Sequence, residues 1–446
     1  MGSLNIDEKY TQYARDVLAG NIPACLYIKQ SCQRYLDFFE KYEFRPEECE
    51  KVVNFISKLK HFSGSVAGKP FILEEWQKWI IYSIFGFYRD NGKRLTRTVY
   101  LEVARKNGKS SLLAAIQLYM FVCGENGAEV DYCANSAKQA AISFQMTSKY
   151  LRSIDKNGKY FLRYRDSIKF PKKDSIVNVF ASDADKLDGY SPSSVLLDEM
   201  HAMKDSRLYD VMISGQGFRE NPLTCLTTTA GFDKFGFCYS FRKTCLDAIS
   251  GVIEKDNMFA AIFTIDEDDD WQNPDVWRKA NPNLGVSVQE EFISDQIESA
   301  TQNSTLEVSV KTKNLNIWCN SSDVWIPYDF ILKATDKIRL EQFPEETICY
   351  AGVDLASVSD LTALSIMIPY KEKFYFATKY YLPEACLYEN SNSELYRKWK
   401  NQGMLTVTPG NVTDYDYITK DLLKLRQYFI IEKIAYDQYN STQWAV

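Results

Sequence analysis

The chain has 446 residues, of which 45% are hydrophobic and 25% charged, and its formal net charge is −6. This length predicts two or three domains, and the composition is typical of a soluble globular protein without a run long enough to span a membrane. The acidic balance argues against a protein coated in basic residues for DNA, but it is compatible with a local basic surface.

Cysteine and histidine usage limits the redox and metal chemistry. The eleven cysteines are scattered without a CxxC pair, which is typical of reduced thiols in a cytosolic protein. Only two histidines, His61 and His201, are present, which argues against a histidine-rich metal site or a Ser-His-Asp triad. A metal site would therefore depend on carboxylates and favour Mg²⁺ or Mn²⁺. The N-terminal residues lack the apolar core of a signal peptide.

The first half of the chain changes from helices to alternating strands and helices. Apolar residues recur at helical spacing through residues 5–60, and an aromatic helix is predicted in FILEEWQKWIIYSIFGFY. From Thr96, short strand-like runs alternate with helical patterns, which is typical of βαβ units on a mostly parallel sheet. The predicted strands are TVYLEVA, EVDYCAN, SIVNVFA, SSVLLDE, LTCLTTTA and MFAAIFTI.

A second sheet is predicted in the C-terminal part. The acidic run from Asp266 to Asp270 closes the first region, and residues 271–330 show a mixed pattern. From Glu345, three consecutive strands are predicted in ICYAGVDLA, ALSIMIPY and KFYFATKYYL. A helical stretch and the strand IEKIAYDQY follow.

The stretch LEVARKNGKSSLLAA has the features of a phosphate-binding loop between the strand TVYLEVA and a helix. In such a loop, backbone N–H groups and the positive end of the helix face the phosphates. Lys109 would reach the β- and γ-phosphates, and the hydroxyl of Ser110 would hold Mg²⁺. Val103 occupies the place of the usual first glycine, and the short match GKS is weak by itself.

Two further segments strengthen the prediction of a nucleotide site. The apolar run SSVLLDEMH ends in Asp198 and Glu199. An Asp at the carboxyl end of a strand neighbouring the phosphate loop can hold Mg²⁺, and the next Glu can orient or deprotonate water. LTTTAG then ends a strand in hydroxyls and glycine, which suits a sensor of the γ-phosphate. Gln77 could read adenine with its side-chain amide.

A second pair of carboxylates follows in the C-terminal sheet. Asp354 lies in an apolar strand before a polar turn, and Asp437 ends another apolar strand. Two carboxylates at the strand ends of one sheet can bridge metal ions that cut phosphodiesters. Asp360 is a weaker candidate, and Asp414 and Asp416 are predicted to belong to a turn.

A basic segment runs from Lys149 to Lys173 and carries nine Lys or Arg against two Asp, a net charge of +7. Aromatic residues are interleaved with these cations. From the segment alone, a solvated helix face followed by a loop is slightly favoured over a nucleic-acid surface.

In combination, these motifs resemble the large terminase subunit of tailed bacteriophages, the ATPase and nuclease that packages viral DNA. The resemblance covers residue 60 to the end through LEEWQ, VARKNGKS, ANSAKQA, LDGYSPSSVLLDEMH, LTTTAG, WRKANPNLG, KNLNIW, GVDLASVSDLTAL and AYDQYNSTQW. It implies a P-loop (RecA/ASCE-like) α/β ATPase domain followed by a ribonuclease H-like α/β nuclease domain. The implied divisions are an N-terminal helical region 1–60, an ATPase domain 61–265, a linker or lid 266–335 and a nuclease domain 336–446.

The resemblance also implies roles for individual residues. Those assigned to nucleotide binding are Gln77, Arg105, Asn107, Gly108, Lys109, Ser110 and Ser111. Glu199 would be the catalytic carboxylate and Asp198 the Walker B ligand of Mg²⁺. Those assigned to coupling are Thr227, Thr228, Thr229 and Gly231. Asp354 and Asp437 would be catalytic metal ligands of the nuclease.

The resemblance leaves one part of the nuclease unmatched. The family carries a third acid after the position of Asp437, but only nine residues follow here. The nuclease domain is therefore expected to be C-terminally incomplete and its cutting impaired. An arginine should complete the ATP site, with Arg105 a candidate in cis and Arg152 in trans.

The family also implies partners and a location. They are double-stranded DNA, the portal of a procapsid, a small terminase subunit and a homo-oligomeric ring in the cytoplasm of a host bacterium, with ATP and Mg²⁺, or Mn²⁺ at the nuclease site. Two other functions stay open from the sequence. One is a helicase-like or repair ATPase with an attached nuclease, and the other is a non-catalytic assembly protein that binds nucleotide structurally.

Overall fold

A computed structural model describes residues 8–62, 66–180, 189–319, 328–335, 339–358, 360–389 and 392–437. The chain divides into two compact units, Met1–Pro327 and Tyr328–Val446. The helical region 1–60 and most of the linker or lid predicted at 266–335 thus lie within the first unit, which is coarser than the four-part division expected from the sequence.

Helices open the first unit, as the spacing of apolar residues predicts. They are α1 (Glu8–Ala19), α2 (Leu26–Lys41), α3 (Pro46–Ser57) and α4 (Glu75–Phe85). A two-stranded antiparallel sheet joins β1 (Glu43–Phe44) to β2 (Phe87–Tyr88). The aromatic helix is shorter than its apolar pattern because Glu74 and Gln77 form a capping box at its start. These helices share one hydrophobic core with the main sheet, so they are not an independent domain.

An eight-stranded sheet forms the centre of the first unit. Its strands are β3 (Thr98–Glu102), β4 (Glu129–Ala134), β5 (Leu162–Arg163), β6 (Ser167–Phe170), β7 (Ser175–Phe180), β8 (Ser194–Asp198), β9 (Leu223–Thr228) and β10 (Met258–Ile262). The strand order is β10-β3-β9-β8-β4-β7-β6-β5. The six predicted strands pair in parallel, whereas the antiparallel hairpin of β5 and β6 was not predicted.

Helices cover both faces of this sheet, which explains why most side chains of its parallel strands are buried and apolar. They are α5 (Lys109–Cys123), α6 (Ala137–Ile154), α7 (Arg207–Gly215) and α8 (Phe237–Ile249). Three further helices, α9 (Pro274–Ala280), α10 (Glu290–Gln302) and α11 (Ser304–Asn314), enclose a smaller core around Trp277 and Leu315. We call this group, from Asp266 to Cys319, the lid segment.

A five-stranded mixed sheet forms the second unit. Its elements are α12 (Tyr328–Ala334), β11 (Thr347–Asp354), β12 (Thr362–Tyr370), β13 (Lys373–Pro383), α13 (Cys386–Glu389), α14 (Ser393–Asn401), β14 (Leu405–Thr408), α15 (Asp416–Leu425) and β15 (Phe429–Tyr436). The order is β14-β13-β12-β11-β15. The first three strands predicted here form an antiparallel meander, and β15 pairs in parallel with β11. The short strand β14 was not predicted.

Two further expectations concern the whole chain. All eleven cysteines are free thiols, as predicted. In the described part of the chain, every helix is too short or too polar to cross a lipid bilayer.

Candidate functional site

The phosphate-loop candidate lies at the carboxyl end of β3. Gly108 has φ +83° and stands immediately before the first residue of α5, so the turn requires the left-handed conformation that glycine adopts readily. Leu112 N donates to Gly108 O and closes the first helical turn, which leaves the preceding N–H groups at the open end of the helix. Val103 is fully buried and its N–H donates to Thr228 O on β9. The missing glycine is thus explained, because the chain still follows the sheet at that position.

The lid segment holds the loop from outside. Asn107 is fully buried; its Nδ2 donates to Asn281 Oδ1 at 2.8 Å, and its Oδ1 accepts from Asn283 N at 3.0 Å. Asn283 Nδ2 donates in turn to Asn107 O at 3.0 Å. Trp76 Nε1 donates to Asn283 Oδ1 at 2.7 Å, which ties α4 into the same network. The buried polar groups of this part of the loop are therefore paired with one another.

The lid segment also forms hydrogen bonds with the outer part of the loop. Ser287 Oγ donates to Lys106 O at 2.7 Å, and Arg105 N donates to Lys313 O at 2.9 Å. The side chains of Arg105 and Lys106 are both exposed. The sequence analysis used WRKANPNLG only as a motif of the family resemblance. It did not predict that the two asparagines of this segment hold the phosphate loop by hydrogen bonds.

The acidic candidates lie opposite the loop, at the end of β8. Asp198 is buried, and Lys109 Nζ lies 3.1 Å from Glu199 Oε1. Glu199 has φ +52°, an uncommon conformation for a residue with a side chain. In the sheet, β9 lies between β8 and the loop strand β3. The Lys109 side chain spans that gap.

Burial and neighbouring charges shift the pKa values of Asp198 and Glu199 in opposite directions. Burial raises the pKa of Asp198, and the adjacent charge of Glu199 adds to that effect, while a hydrogen bond from Ser143 partly offsets it. Burial would also raise the pKa of Glu199, but the charge of Lys109 and the hydrogen bond from its Nζ hold it below its ordinary value. Glu199 is thus kept ionised beside the lysine. Burial disfavours the charged form of Asp198, so its negative charge needs a positive charge nearby.

His201 connects this site to the candidate coupling strand. Its backbone N donates to Thr228 Oγ1 at 3.0 Å, and its Nδ1 lies 3.3 Å from Glu199 Oε2. Thr228 Oγ1 donates onward to Thr229 O at 2.8 Å. Burial lowers the pKa of His201, so the neutral ring is favoured. Sequence reasoning gave His201 no role, although it is the last residue of the segment SSVLLDEMH that supplied Asp198 and Glu199.

The remaining coupling candidates are buried around the same turn. Thr227 and Thr229 are buried, and Ala230 N donates to Asn316 Oδ1 at 2.7 Å. A Cβ added at Gly231 would lie 3.1 Å from both His201 Cβ and the Trp318 ring. A larger residue would therefore push against both, which explains the glycine.

The other nucleotide-binding candidates differ in their placement. Gln77 is buried, and its Oε1 accepts from Glu74 N at 3.0 Å, while a Cβ added at Gly108 would lie 3.7 Å from its Nε2. Ser110 is half-buried in the first turn of α5. The Ser111 hydroxyl instead faces Met146 Sδ on α6 at 4.0 Å.

The arginine candidate in trans, Arg152, is exposed near the end of α6. Arg105 is likewise exposed, on the phosphate loop itself.

A buried carboxylate that the sequence analysis overlooked lies directly before the loop. Glu102 is fully buried and accepts from Arg242 Nε at 3.1 Å, from Tyr100 OH at 2.6 Å and from Trp318 Nε1 at 3.2 Å. Burial opposes the charge of Arg242, yet the carboxylate raises the pKa of that guanidinium. This ion pair joins the strand of the phosphate loop to α8 and to the end of the lid segment.

The two acids of the second unit come together at one edge of its sheet. Val353 pairs in parallel with Tyr436, and Asp354 and Asp437 each follow by one residue. Parallel strands are about 4.8 Å apart, so the two carboxylates start from neighbouring backbone positions. Within the described ranges, no group of three or more His, Cys, Asp or Glu side chains is arranged to hold a metal ion.

The weaker acidic candidates have structural roles. Asp360 Oδ1 accepts from Leu361 N at 2.8 Å in the loop after β11. Asp414 Oδ1 accepts from Asp416 N at 3.0 Å, at the start of α15. Asp414 lies in the loop before α15, whereas the prediction that Asp416 belongs to a turn is wrong, because it is the first residue of that helix.

Comparison with known proteins identifies both units. The model for the terminase large subunit, ATPase domain, matches residues 75–246, and the model for the terminase large subunit, endonuclease domain, matches residues 252–445. The second match begins within the first compact unit. Residues 258–262 form β10, which pairs with β3, so by packing they belong to the unit that holds the phosphate loop.

Individual relatives point the same way. The terminase large subunit of Enterobacteria phage HK97 is 25% identical over 414 residues, which cover 89% of this chain and 78% of that protein. Protein YmfN of Escherichia coli strain K12 is 34% identical over 267 residues; the chain spans 58% of its length. The crystal structure of the HK97 large terminase matches 90% of this chain and 81% of its own with a TM-score of 0.53 at 24% identity, which indicates a shared fold.

Proposed function

The chain belongs to the terminase large subunits, and from that premise we propose that it hydrolyses ATP to move double-stranded DNA into a procapsid. The observation that carries the proposal is the approach of Lys109 Nζ to Glu199 at 3.1 Å, between the phosphate loop and the acidic end of β8. A loop lysine and a carboxylate in this arrangement are the parts that phosphoryl transfer to water requires.

The residues at this site fit ATP and Mg²⁺. The open N-terminal turn of α5 and the buried Lys109 suit a triphosphate. The hydroxyl of Ser110 and the buried carboxylate of Asp198 are oxygen donors, which Mg²⁺ prefers. When bound, Mg²⁺ would neutralise charge on the phosphate oxygens. Gln77, beside Gly108, is our candidate for contact with the adenine base.

Glu199 is the proposed general base. In the reaction it accepts a proton from water as the water oxygen attacks the γ-phosphorus, and the bond to the β–γ bridging oxygen breaks to give ADP and inorganic phosphate. Before ATP binds, the charge of Lys109 lowers the pKa of Glu199 and keeps the carboxylate ionised. When Lys109 exchanges this contact for the phosphates, the carboxylate is free to orient the water and accept its proton.

His201 is the proposed link between hydrolysis and movement. It contacts Glu199 with its ring and Thr228 with its backbone N–H. A movement of the Glu199 side chain would therefore be transmitted through His201 to the end of β9, where the coupling residues begin. Replacing His201 with Ala should lower kcat for ATP more than it raises KM, since it does not touch the phosphate loop.

Steady-state ATP hydrolysis tests the proposal. Glu199→Gln should retain nucleotide binding while turnover falls by about 10²–10⁴-fold, the usual contribution of a general base. Lys109→Ala should lose nucleotide binding itself. The matched control is Glu40→Gln, an exposed glutamate on α2, which should turn over ATP at the wild-type rate. Undiminished hydrolysis by Glu199→Gln would remove that residue from its role.

The second unit is proposed to cut concatemeric DNA. Asp354 and Asp437, at neighbouring strand ends, would hold Mg²⁺ or Mn²⁺ and direct it to a phosphodiester. Plasmid nicking in Mn²⁺ should be lost in Asp354→Asn. Cutting that survives this substitution would place the metal elsewhere.

The proposal extends to the assembly. The chain would act as a homo-oligomeric ring on the portal of a procapsid, with a small terminase subunit, in the cytoplasm of a host bacterium. An arginine supplied by a neighbouring copy would complete the ATP site, and Arg152 is a candidate because it is exposed. Its replacement should lower hydrolysis only under conditions in which the ring forms.

A further inference from the structure

The edge of the first sheet that is remote from β10 carries a concentrated positive charge. Five exposed cations lie on the hairpin of β5 and β6 and its flanks, and we call them the basic edge: Lys156, Lys159, Arg165, Lys169 and Lys172. They belong to a 25-residue stretch with a net charge of +7, in a chain whose net charge is −6. This hairpin replaces the loop that the sequence predicted. Lys169 lies on β6, and the other four cations lie in the hairpin turn or in the turns that flank the strand pair.

The hairpin is firmly anchored to the sheet. Phe161 and Phe170 are buried with ring centroids 4.7 Å apart, and both contact Phe121 on α5. Asp155 accepts from the backbone N–H groups of Lys159, Tyr160 and Phe161. The basic edge therefore keeps its shape without a partner, which lowers the entropic cost of binding.

The nearby acids do not neutralise this surface. Both oxygens of Asp155 are occupied by the backbone. Arg165 and Asp166 approach to 3.9 Å, but their side chains are 94% and 73% exposed, and such a pair contributes little. In the ranges covered by the structure, the other four cations of the basic edge have no carboxylate within 4.0 Å. Their charge is available to a ligand.

We infer that the basic edge binds the phosphate backbone of double-stranded DNA, which deepens the proposed function by assigning one surface of the motor to its polymer. Duplex DNA presents one charge per about 1.7 Å of its axis, and several cations grouped at one sheet edge can neutralise neighbouring phosphates along it. Tyr160 and Tyr164, 54% and 55% exposed, add hydroxyl donors among them. An acidic protein surface fits less well, because charge is depleted at the centre of protein interfaces.

Binding of a short labelled duplex, followed by fluorescence anisotropy across a salt series, tests the inference on the full chain. Replacing Lys156, Lys159, Lys169 and Lys172 with Gln should weaken binding at least about tenfold at low salt. It should also reduce the slope of log affinity against log salt concentration by up to about 0.9 for each phosphate that the protein no longer neutralises.

The matched control removes the same amount of charge near the opposite edge of the sheet, where β10 lies. Lys29, Lys41, Lys243 and Lys255 are exposed near β10, and their replacement with Gln should leave affinity and salt slope close to those of the wild type. Thermal unfolding of each variant checks that it is folded. An equal loss in both variants, or none in the first, would overturn the inference.

Two other outcomes are informative. Loss of self-association at low salt by the first variant, with DNA binding unchanged, would assign the basic edge to an acidic protein surface and overturn the inference. The assay does not depend on ATP hydrolysis. If Glu199→Gln proved fully active, the proposed catalytic role would fail while a localised loss of DNA binding would still support the basic edge.

Discussion

Replacement of Asn283 by Ala should destabilise the first unit and weaken ATP binding together. The substitution removes the acceptor of the buried Trp76 N–H and the donor to the carbonyl of Asn107. An unsatisfied buried polar group costs about 1–3 kcal/mol, so two of them predict a loss of about 2–6 kcal/mol. Because the same bonds hold the phosphate loop in shape, a share of about 1.4 kcal/mol would lower ATP affinity about tenfold.

Urea unfolding followed by circular dichroism, with one transition fitted for each compact unit, measures the stability loss. A titration with a fluorescent ATP analogue measures affinity. Asn54→Ala, at an exposed position of α3, is the matched control and should change stability by no more than about 0.5 kcal/mol.

A double-mutant cycle with Trp76→Phe separates the two bonds. Phenylalanine has no N–H to leave unpaired, so Asn283→Ala should cost about 1 kcal/mol less in that background. Equal losses in both backgrounds would refute the reasoning.

Three other predictions concern separate parts of the molecule. Glu102→Gln should destabilise the first unit by about 3–5 kcal/mol in urea unfolding, because it leaves the buried Arg242 without its counter-charge, and the added change Arg242→Gln should recover part of that loss. Burial raises the pKa of Asp131 to about 8, so the folded state binds more protons than the unfolded state up to that pH and stability should fall as pH rises towards it; Asp131→Asn should flatten this dependence in thermal unfolding. Asp354→Asn and Asp437→Asn should each abolish plasmid nicking in Mn²⁺, with the urea unfolding transition of the second unit as the check on folding.

The long elements were predictable because local pattern determines them. Each of the six parallel strands is a short run rich in apolar and β-branched residues, with few polar interruptions such as Asp131 in β4 and Asn178 in β7. Burial on both faces makes such a run the expected form. The strands that were missed, β1, β2, β5, β6 and β14, have two to four residues. A run of that length shows no reliable periodicity, even in β6, where buried Ile168 and Phe170 alternate with exposed Lys169.

Only the parts of the candidate site that are contiguous in sequence were predictable. The phosphate loop and the pair Asp198 and Glu199 stand out because each motif is contiguous in sequence. The partners that hold the loop do not: Asn107 and Asn283 are 176 positions apart. A hydrogen bond across that distance depends on how the lid segment packs, and no local pattern encodes it. The signal that was available is the pair of asparagines around a proline in ANPN, where two amides suit a buried polar network.

The position of β9 determines how the proposed motor could transmit force. Because β9 lies between the loop strand β3 and the acidic strand β8, it is hydrogen-bonded to both, with Leu101 beside Thr227 and Leu197 beside Leu226. A packed parallel sheet does not stretch continuously, so a shift of Glu199 relative to the loop must be taken up beyond the strand ends. That is where His201 meets Thr228. Movement would therefore pass to the turn at Gly231 and to the lid segment behind it, whose residues already clamp the phosphate loop.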